Sequence, residues 1–388
     1  MRKLISNNKI PKRELKVSNF SKVGIKSDED KIEFDGKKLI NLSSNDYLGL
    51  SSNKIILNES TKYLKIYGSG SSSSRLIAGN FNKFEEIETN LSEQLGFSKS
   101  IVMGNGFLVN ATVIPAITRN TIGKKNKFFI FSDKLNHASI NYGNSITNQK
   151  VFRYNHLDLN HLEFLIKKSQ KNTEKIIITE SLYSMDGDFA DINGLRFIAN
   201  KYNAILYIDE AHSFGVYGKK GLGISVNGSR AEREVMVGTF SKALGSYGAF
   251  IASSKDIYDL IVESCPGLIY STALPPSVVG SIKAGIKILP KLSKRRERLI
   301  ANSKFLIKKL KELNLDVGNS SSHIIPIIFN NFFKCEKIRE ELKRKNFFVK
   351  SFRHPTVPKN EERIRVSLTT FIKKNVIIDF LKVMENFK

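Results

Sequence analysis

Apolar residues fall into two spacings along this chain. Short continuous runs rich in Ile, Val and Phe stand at Ser100–Met103, Phe128–Phe131, Lys175–Thr179, Ile205–Ile208 and Val235–Val237. Such runs, bounded by turn residues, predict strands buried on both faces. Between them, Lys83–Leu95, Val109–Thr118, Asn160–Ser169 and Asn193–Tyr202 carry apolar residues at helical spacing. Gly248–Ser253 predicts a further strand, and Pro275–Leu289 a helix opened by paired prolines. Strands alternating with helices predict an α/β fold with a largely parallel sheet. Beyond Pro290 the texture changes to a basic helix over Leu292–Leu313 and then short strands and helices. The expected organisation is an N-terminal segment 1–45, a large domain 46–289 and a smaller α+β domain 290–388.

In open α/β sheets, ligands bind beyond the carboxyl ends of parallel strands. Just past the predicted strands stand Gly104-Asn105-Gly106-Phe107, then His137, then Glu180 and Ser184, then Asp209 and His212, and finally Thr239, Ser241 and Lys242. Each has an ordinary reading taken singly. Asp209 suits a helix cap or a loop acid, Lys242 a solvated surface residue, His137 a solvated loop histidine, and the Gly-Asn-Gly a tight turn. Together they place hydroxyls, two carboxylates, two histidines and a lysine on one edge. A partly desolvated lysine is a Schiff-base nucleophile, and an acid on the neighbouring strand can keep a pyridine nitrogen protonated. The glycine turn before a helix suits a phosphate. That combination is the minimum apparatus for pyridoxal phosphate.

The charge balance is the one unusual feature of the composition. Among 388 residues, Lys+Arg number 62 and Asp+Glu 37, a net charge of +25. The lysines are scattered along the chain, as at Lys124, Lys125, Lys167, Lys168, Lys219 and Lys220, with no single basic motif. A nucleic-acid-binding protein on a degenerate enzyme fold would cluster them with aromatic residues and lose the lysine of the site, so nucleic acid is not expected as a partner. Lys294, Arg295, Arg296 and Arg298 read either as a basic entrance for an acidic acyl carrier or, with better support, as the solvated face of a helix. Two cysteines are too few for a disulfide framework. With no apolar run of about 18 residues and no secretory h-region, a cytoplasmic protein without a membrane partner is expected.

The motifs NLSSNDYLG (41–49), YGSGSSSSRLIAGN (67–80), GNGF (104–107), DKLNHASI (133–140), ESLYSMDGD (180–188), DEAHSFGVYGKKGLG (209–223), TFSKALG (239–245) and IYSTALPP (269–276) resemble, in this order, those of the α-oxoamine synthases. These are pyridoxal-phosphate-dependent acyltransferases of fold type I. The resemblance implies a large domain around a mostly parallel seven-stranded sheet, a smaller α+β C-terminal domain, and pyridoxal 5'-phosphate as cofactor. It implies Lys242 as the Schiff-base lysine and general base, Asp209 as partner of the pyridine nitrogen, and His137 stacked on the ring. Ser184 and His212 would face the ring's 3-hydroxyl, and Gly106, Phe107 and Thr239 the phosphate. Ser271 and Thr272 would reach the phosphate of a neighbouring subunit, implying a homodimer. Asn45, Glu180, Thr356 and Arg365 would meet substrate, Arg365 through its carboxylate. No metal is expected.

Within that family, Arg353-His354-Pro355-Thr356-Val357-Pro358 resembles a segment of the branch that condenses L-alanine with a pimeloyl thioester, on coenzyme A or acyl carrier protein, to give 8-amino-7-oxononanoate for biotin. The alternatives are the branches that join glycine to a short acyl-CoA, as in glycine acetyltransferase or 5-aminolevulinate synthase. Arg13 is the candidate for the N-terminal arginine that helps bind substrate in the L-alanine branch.

Overall fold

The apolar runs assemble into one seven-stranded sheet. Its strands lie in the order Lys99–Met103, Ala249–Ser253, Glu234–Thr239, Ile205–Asp209, Glu174–Glu180, Phe128–Asp133 and Lys150–Tyr154. This is a computed structural model, and it describes residues 19–20, 31–34, 36–119, 127–170 and 173–387; Arg13, Lys124 and Lys125 lie outside them. Ala249–Ser253 runs antiparallel to both its neighbours, and every other pairing in the sheet is parallel. The expected sheet is therefore present, with one reversed strand inside it.

Burial on both faces explains why these strands read as continuous apolar runs. Ile176, Ile177 and Ile178 are fully buried, as are Leu206, Tyr207 and Ile208. Successive side chains point to opposite faces. Ile176, Ile178 and Tyr207 pack under the helix Gly106–Thr118 with Val109, Val113, Ile114 and Ile117. Ile177 and Leu206 pack on the other face against Leu162 and Ile166 of Leu159–Lys168 and Leu195 and Ile198 of Ile192–Lys201. Each buried aliphatic side chain contributes about 1.5–3 kcal/mol, so these two layers hold the sheet rigid. The strand Lys150–Tyr154 was not expected. It is an edge strand paired only with Phe128–Asp133, and its alternating KVFRY leaves it half-exposed, so no continuous apolar run marks it.

Toward the C-terminus, Ile324–Ile328, Arg363–Ser367 and Lys350–Phe352 form an antiparallel three-stranded sheet, with Arg363–Ser367 in the middle. The N-terminal strands Asn19–Phe20, Lys31–Phe34 and Lys37–Asn41 join this part of the molecule. Lys37–Asn41 pairs in parallel with Phe347–Phe348, and Leu42 N–H donates to the Phe348 carbonyl at 2.9 Å. The Thr370 N–H donates to the Tyr47 carbonyl at 2.8 Å, fixing the NDYLG segment at the same junction.

The basic helix occupies Ser293–Glu312, close to expectation, but its arginines have another use. Arg295 donates to the Leu48 carbonyl at 2.8 Å, Arg296 is buried and donates to the Leu289 carbonyl at 2.8 Å, and Arg298 donates to Thr370 Oγ1 at 3.0 Å. Arg295 and Arg296 fasten the helix to its neighbours, whereas Lys294 and Arg298 remain exposed on its solvated face. Among the described residues, no helix is long and apolar enough to cross a membrane.

One buried ion cluster clamps the far side of the sheet edge. His156 Nδ1 lies 3.0 Å from Asp133 Oδ1, and its Nε2 lies 3.1 Å from Asp188 Oδ2. Burial opposes the charged imidazole, but the two carboxylates outweigh it and raise its pKa to about 10. A folded-state pKa above the unfolded value of about 6.5 stabilises the fold fully below that value. The contribution then fades as pH rises toward 10. Replacing His156→Gln is expected to cost about 2–4 kcal/mol at pH 6 by leaving two carboxylates unpaired. In urea unfolding, the gap between wild type and variant should shrink between pH 6.5 and 10. A gap independent of pH would contradict the clamp.

Candidate active site

The register of the parallel strands brings the polar residues together. Glu180 pairs directly with Asp209, and Asp209 with Val237, two residues before Thr239. Asp209 is buried, and both its oxygens are held. Oδ1 accepts from the Ala211 N–H at 2.8 Å, and Oδ2 accepts from Asn110 Nδ2 at 2.7 Å. Asn110 projects from the first turns of Gly106–Thr118, and its Oδ1 accepts from the Tyr207 hydroxyl at 2.7 Å.

Glu180, beside Asp209, is 2% exposed. Burial and then the Asp209 charge push its carboxyl well above the usual range, which favours the neutral acid. Its Oε1 accepts the His137 N–H at 2.6 Å. His137 caps the helix Ala138–Ser145, with its ring exposed. Loss of solvent from its surroundings, aided by Lys242 and opposed by Asp209, lowers its pKa, so the imidazole is neutral at pH 7.

Lys242 sits in a tight turn after the strand Glu234–Thr239. The Gly245 N–H closes the turn on the Lys242 carbonyl at 2.8 Å. Gly245 has φ +60°, and a Cβ there would meet the Ser51 backbone nitrogen at 2.1 Å, so only glycine fits. Burial lowers the Lys242 ammonium to about 8, against the pull of Asp209 and Glu180 and with help from Arg365. A lysine near 8 has a substantial neutral fraction at pH 7–8, as a Schiff-base nucleophile and proton acceptor requires.

The DEAH segment supplies a second wall. Glu210 is fully buried and accepts from Ser181 Oγ at 2.8 Å, Ile224 N at 3.0 Å, Ser225 N at 2.6 Å and Ser213 Oγ. It folds the 210–225 loop and so fixes His212. His212 is buried, and its Nδ1 lies 2.7 Å from the Tyr47 hydroxyl, which donates to Asn45 Oδ1 at 3.2 Å. Burial, then the cations Lys242 and Arg365, hold His212 well below its usual range. Tyr47 also packs edge-on against His323 at 4.0 Å. Arg365 is buried over the Phe352 ring at 5.2 Å and donates to the Ser184 carbonyl at 2.8 Å. Among the described residues it forms no ion pair, whereas its neighbour Arg363 pairs with Asp186 and Glu361 at 2.6 and 2.7 Å.

At the phosphate end, Asn105 caps the helix by accepting the Leu108 N–H at 2.9 Å, and the first-turn N–H groups of Gly106 and Phe107 precede the helix's own bonding. A Cβ on Gly106 would meet nothing closer than Thr239 Cβ at 4.0 Å. Packing therefore does not demand this glycine, while an anion drawn close to the backbone would. Thr239 Oγ1 lies 2.7 Å from Ser241 Oγ and 3.0 Å from the Gly248 carbonyl.

The structure thus brings together Asn45, His137, Glu180, Ser184, Asp209, His212, Lys242 and Arg365, with Gly106, Phe107 and Thr239 along the same sheet edge. It does not join Ser271 and Thr272 to them. Thr272 bridges Ser74, and the next N–H, of Ala273, donates to the Ser73 carbonyl at 2.9 Å. Thr356 is exposed on a turn closed by its N–H to the Arg353 carbonyl at 2.9 Å. Sequence reading missed Asn110, Ser139, Tyr47 and His323. Asn110 carries a signal, as a polar residue within the apolar GFLVNATVIPAIT; the others carry none without the fold.

These residues fit pyridoxal phosphate: an amine near 8, a carboxylate fixed on both oxygens, an exposed imidazole and free N–H groups at a helix start. The chain matches the family model "Aminotransferase class I and II" over residues 37–376. It is 38% identical over 339 residues, 87% of the chain and 84% of the relative, to a Bacillus cereus protein named "Putative 8-amino-7-oxononanoate synthase". A serine palmitoyltransferase from S. paucimobilis, solved with a bound PLP–myriocin aldimine, superposes with TM-score 0.87 at 27% identity, covering 93% of this chain and 90% of that one. An 8-amino-7-oxononanoate synthase from Francisella tularensis superposes with TM-score 0.77 at 27% identity, covering 90% and 97%. Sheet, site and sequence agree: the chain belongs to the aminotransferase class I and II family and has fold type I.

Proposed function

We propose that this chain is an α-oxoamine synthase that condenses L-alanine with a pimeloyl thioester, on coenzyme A or acyl carrier protein, releasing carbon dioxide and 8-amino-7-oxononanoate. Pyridoxal phosphate is the cofactor. The observation that carries the substrate side is Arg365, a buried guanidinium with no ion pair among the described residues, set beside Lys242. Such a charge calls for an anion, and its planar fork matches the carboxylate of an amino acid.

When bound, the cofactor supplies an aldehyde for imine formation and a ring that stabilises negative charge on the substrate's α-carbon. Lys242 Nζ would hold it and, with its ammonium lowered to about 8, would serve as the acceptor of the α-proton. Asp209, held at both oxygens, would pair with the ring nitrogen. Arg365, with Asn45 nearby, orients the amino acid so that the α-proton faces Lys242. His137, near Asp209 and Lys242, would be a neutral donor able to stabilise oxyanion character on the thioester carbonyl. Carbon–carbon bond formation expels the thiol, and decarboxylation of the resulting β-keto acid gives the amino ketone.

A homodimer is part of the reading. Tyr270 is 82% exposed and Ile77 81%, on segments that flank Ser271–Thr272 and Ser73–Ser74. Large apolar residues so exposed suit a second copy that receives Ser271 and Thr272 at its own site. The reducing cytoplasm fits the two buried free thiols, Cys265 and Cys335. A second reading, condensation of L-serine with a longer acyl thioester, draws support from the TM-score of 0.87 to serine palmitoyltransferase against 0.77 to the oxononanoate synthase.

Mass spectrometry of products from L-alanine, glycine and L-serine, each with pimeloyl-CoA, tests the choice. Only L-alanine should give a decarboxylated amino ketone at high kcat/KM; a preference for glycine or L-serine would overturn it. Lys242→Ala should lower turnover by about 10⁴-fold or more while the protein stays folded. Arg365→Gln should raise the amino-acid KM about 10- to 100-fold with a smaller change in kcat. An unchanged KM would remove Arg365 from the carboxylate site.

A further inference from the structure

Asn110 does more than hold Asp209. Its two amide hydrogens go to different acceptors, one to Asp209 Oδ2 at 2.7 Å and the other to Ser139 Oγ at 3.0 Å. The amide orientation follows from chemistry. An ionised carboxylate accepts only, so the group facing Asp209 is the NH₂, and Oδ1 turns to the Tyr207 hydroxyl at 2.7 Å. Ser139 Oγ, accepting from Asn110, is left with its own proton to give. Its remaining neighbour is His137 Nδ1 at 2.7 Å. The Ser139 backbone N–H also points at that nitrogen, at 3.2 Å. Two donors converge on Nδ1, so Nδ1 accepts and the ring proton of the neutral imidazole sits on Nε2.

We infer that Asn110 and Ser139 are positioning residues that fix the tautomer of His137, so that its Nε2–H faces the site as a donor. The chain of constraint starts at Asp209, which would meet the cofactor's ring nitrogen, and ends at His137. Asn110 and Ser139 are nearly fully buried, so water does not substitute for either hydrogen bond. The His137 N–H on Glu180 and the Nδ1 contact with Ser139 together hold the ring from both backbone and side chain. The inference rests on the proposed role of His137 as a donor, and it concerns residues outside the substrate and cofactor contacts.

The test uses the holoenzyme labelled with ¹⁵N-histidine, the His137 signals being assigned by their loss in His137→Asn. Wild type should show Nδ1 unprotonated and Nε2 protonated. Ser139→Ala should give a mixture of tautomers and lower kcat about tenfold, with the L-alanine KM within about twofold, because a donor is lost in only part of the molecules. Ser139→Thr, which keeps the hydroxyl, should restore both the tautomer and kcat. A single Nε2–H tautomer persisting in Ser139→Ala would overturn the inference, whatever the rate. So would an Nδ1–H tautomer in wild type. If Ser139→Ala does not fold, the His137 tautomer in Asn110→Ser is the readout, and a single Nε2–H tautomer there would overturn the inference; its kcat is set aside because that variant also frees Asp209 Oδ2. An absent visible cofactor band in wild type would instead defeat the reading of the enzyme, and the tautomer spectrum of the wild-type protein would still stand or fall by itself.

Discussion

The site is organised around the carboxylate of Asp209, fixed at the carboxyl end of the strand Ile205–Asp209. Two donors from different elements hold its two oxygens, the Ala211 N–H from the following turn and Asn110 from the helix across the sheet. A charge held in this way sets the state of its neighbours. It adds to the burial that pushes Glu180, one strand away, toward the neutral acid, and it opposes the burial that lowers the Lys242 ammonium. A carboxylate held at both oxygens, a carboxyl pushed toward its neutral form and a lysine near 8 are a division of labour that the strand register enforces, since Glu180 and Asp209 are paired residues. Two ionised carboxylates at that spacing would repel each other.

The arginines of the C-terminal strand show how similar residues take different tasks. Arg363 and Arg365 stand two residues apart on Arg363–Ser367 and therefore share a face of the strand, both reaching the 184–186 segment. Arg363 is neutralised by Asp186 and Glu361 and fastens the ESLYSMDGD loop to the small sheet. Arg365 forms no such pair among the described residues and lies with Lys242 and His212. The first is a fastener, and the second has charge to spare for a ligand. The same contrast separates the His156 clamp, saturated by two carboxylates, from His137, whose ring is exposed.

Much of this was legible in the sequence because strand ends are local. An apolar run followed by a polar residue places that residue on the sheet edge, and this located Asp209, Glu180, Thr239 and Lys242. The reversal of Ala249–Ser253 was not legible, because an apolar strand reads alike in either direction. Nor was the edge strand Lys150–Tyr154, whose exposed face breaks the run. The family resemblance supplied Arg365, which no periodicity singles out from Arg363. Tyr47 and His323 meet across a long stretch of chain, and only the fold brings them together. The basic helix was legible in part: Lys294 and Arg298 are exposed, as their charge suggests, whereas Arg295 and Arg296 donate to backbone carbonyls that only the fold brings near.

The most direct measurement is the visible absorbance of the purified protein with pyridoxal phosphate during separate titrations with L-alanine, glycine and L-serine. A cofactor band should be present, should shift with saturation on L-alanine, and should change again when a pimeloyl thioester follows. The same band should be absent when Lys242 is replaced. A protein that shows no band after addition of pyridoxal phosphate, or whose band answers to glycine or L-serine and not to L-alanine, would contradict the assignment built on Asp209, Lys242 and Arg365.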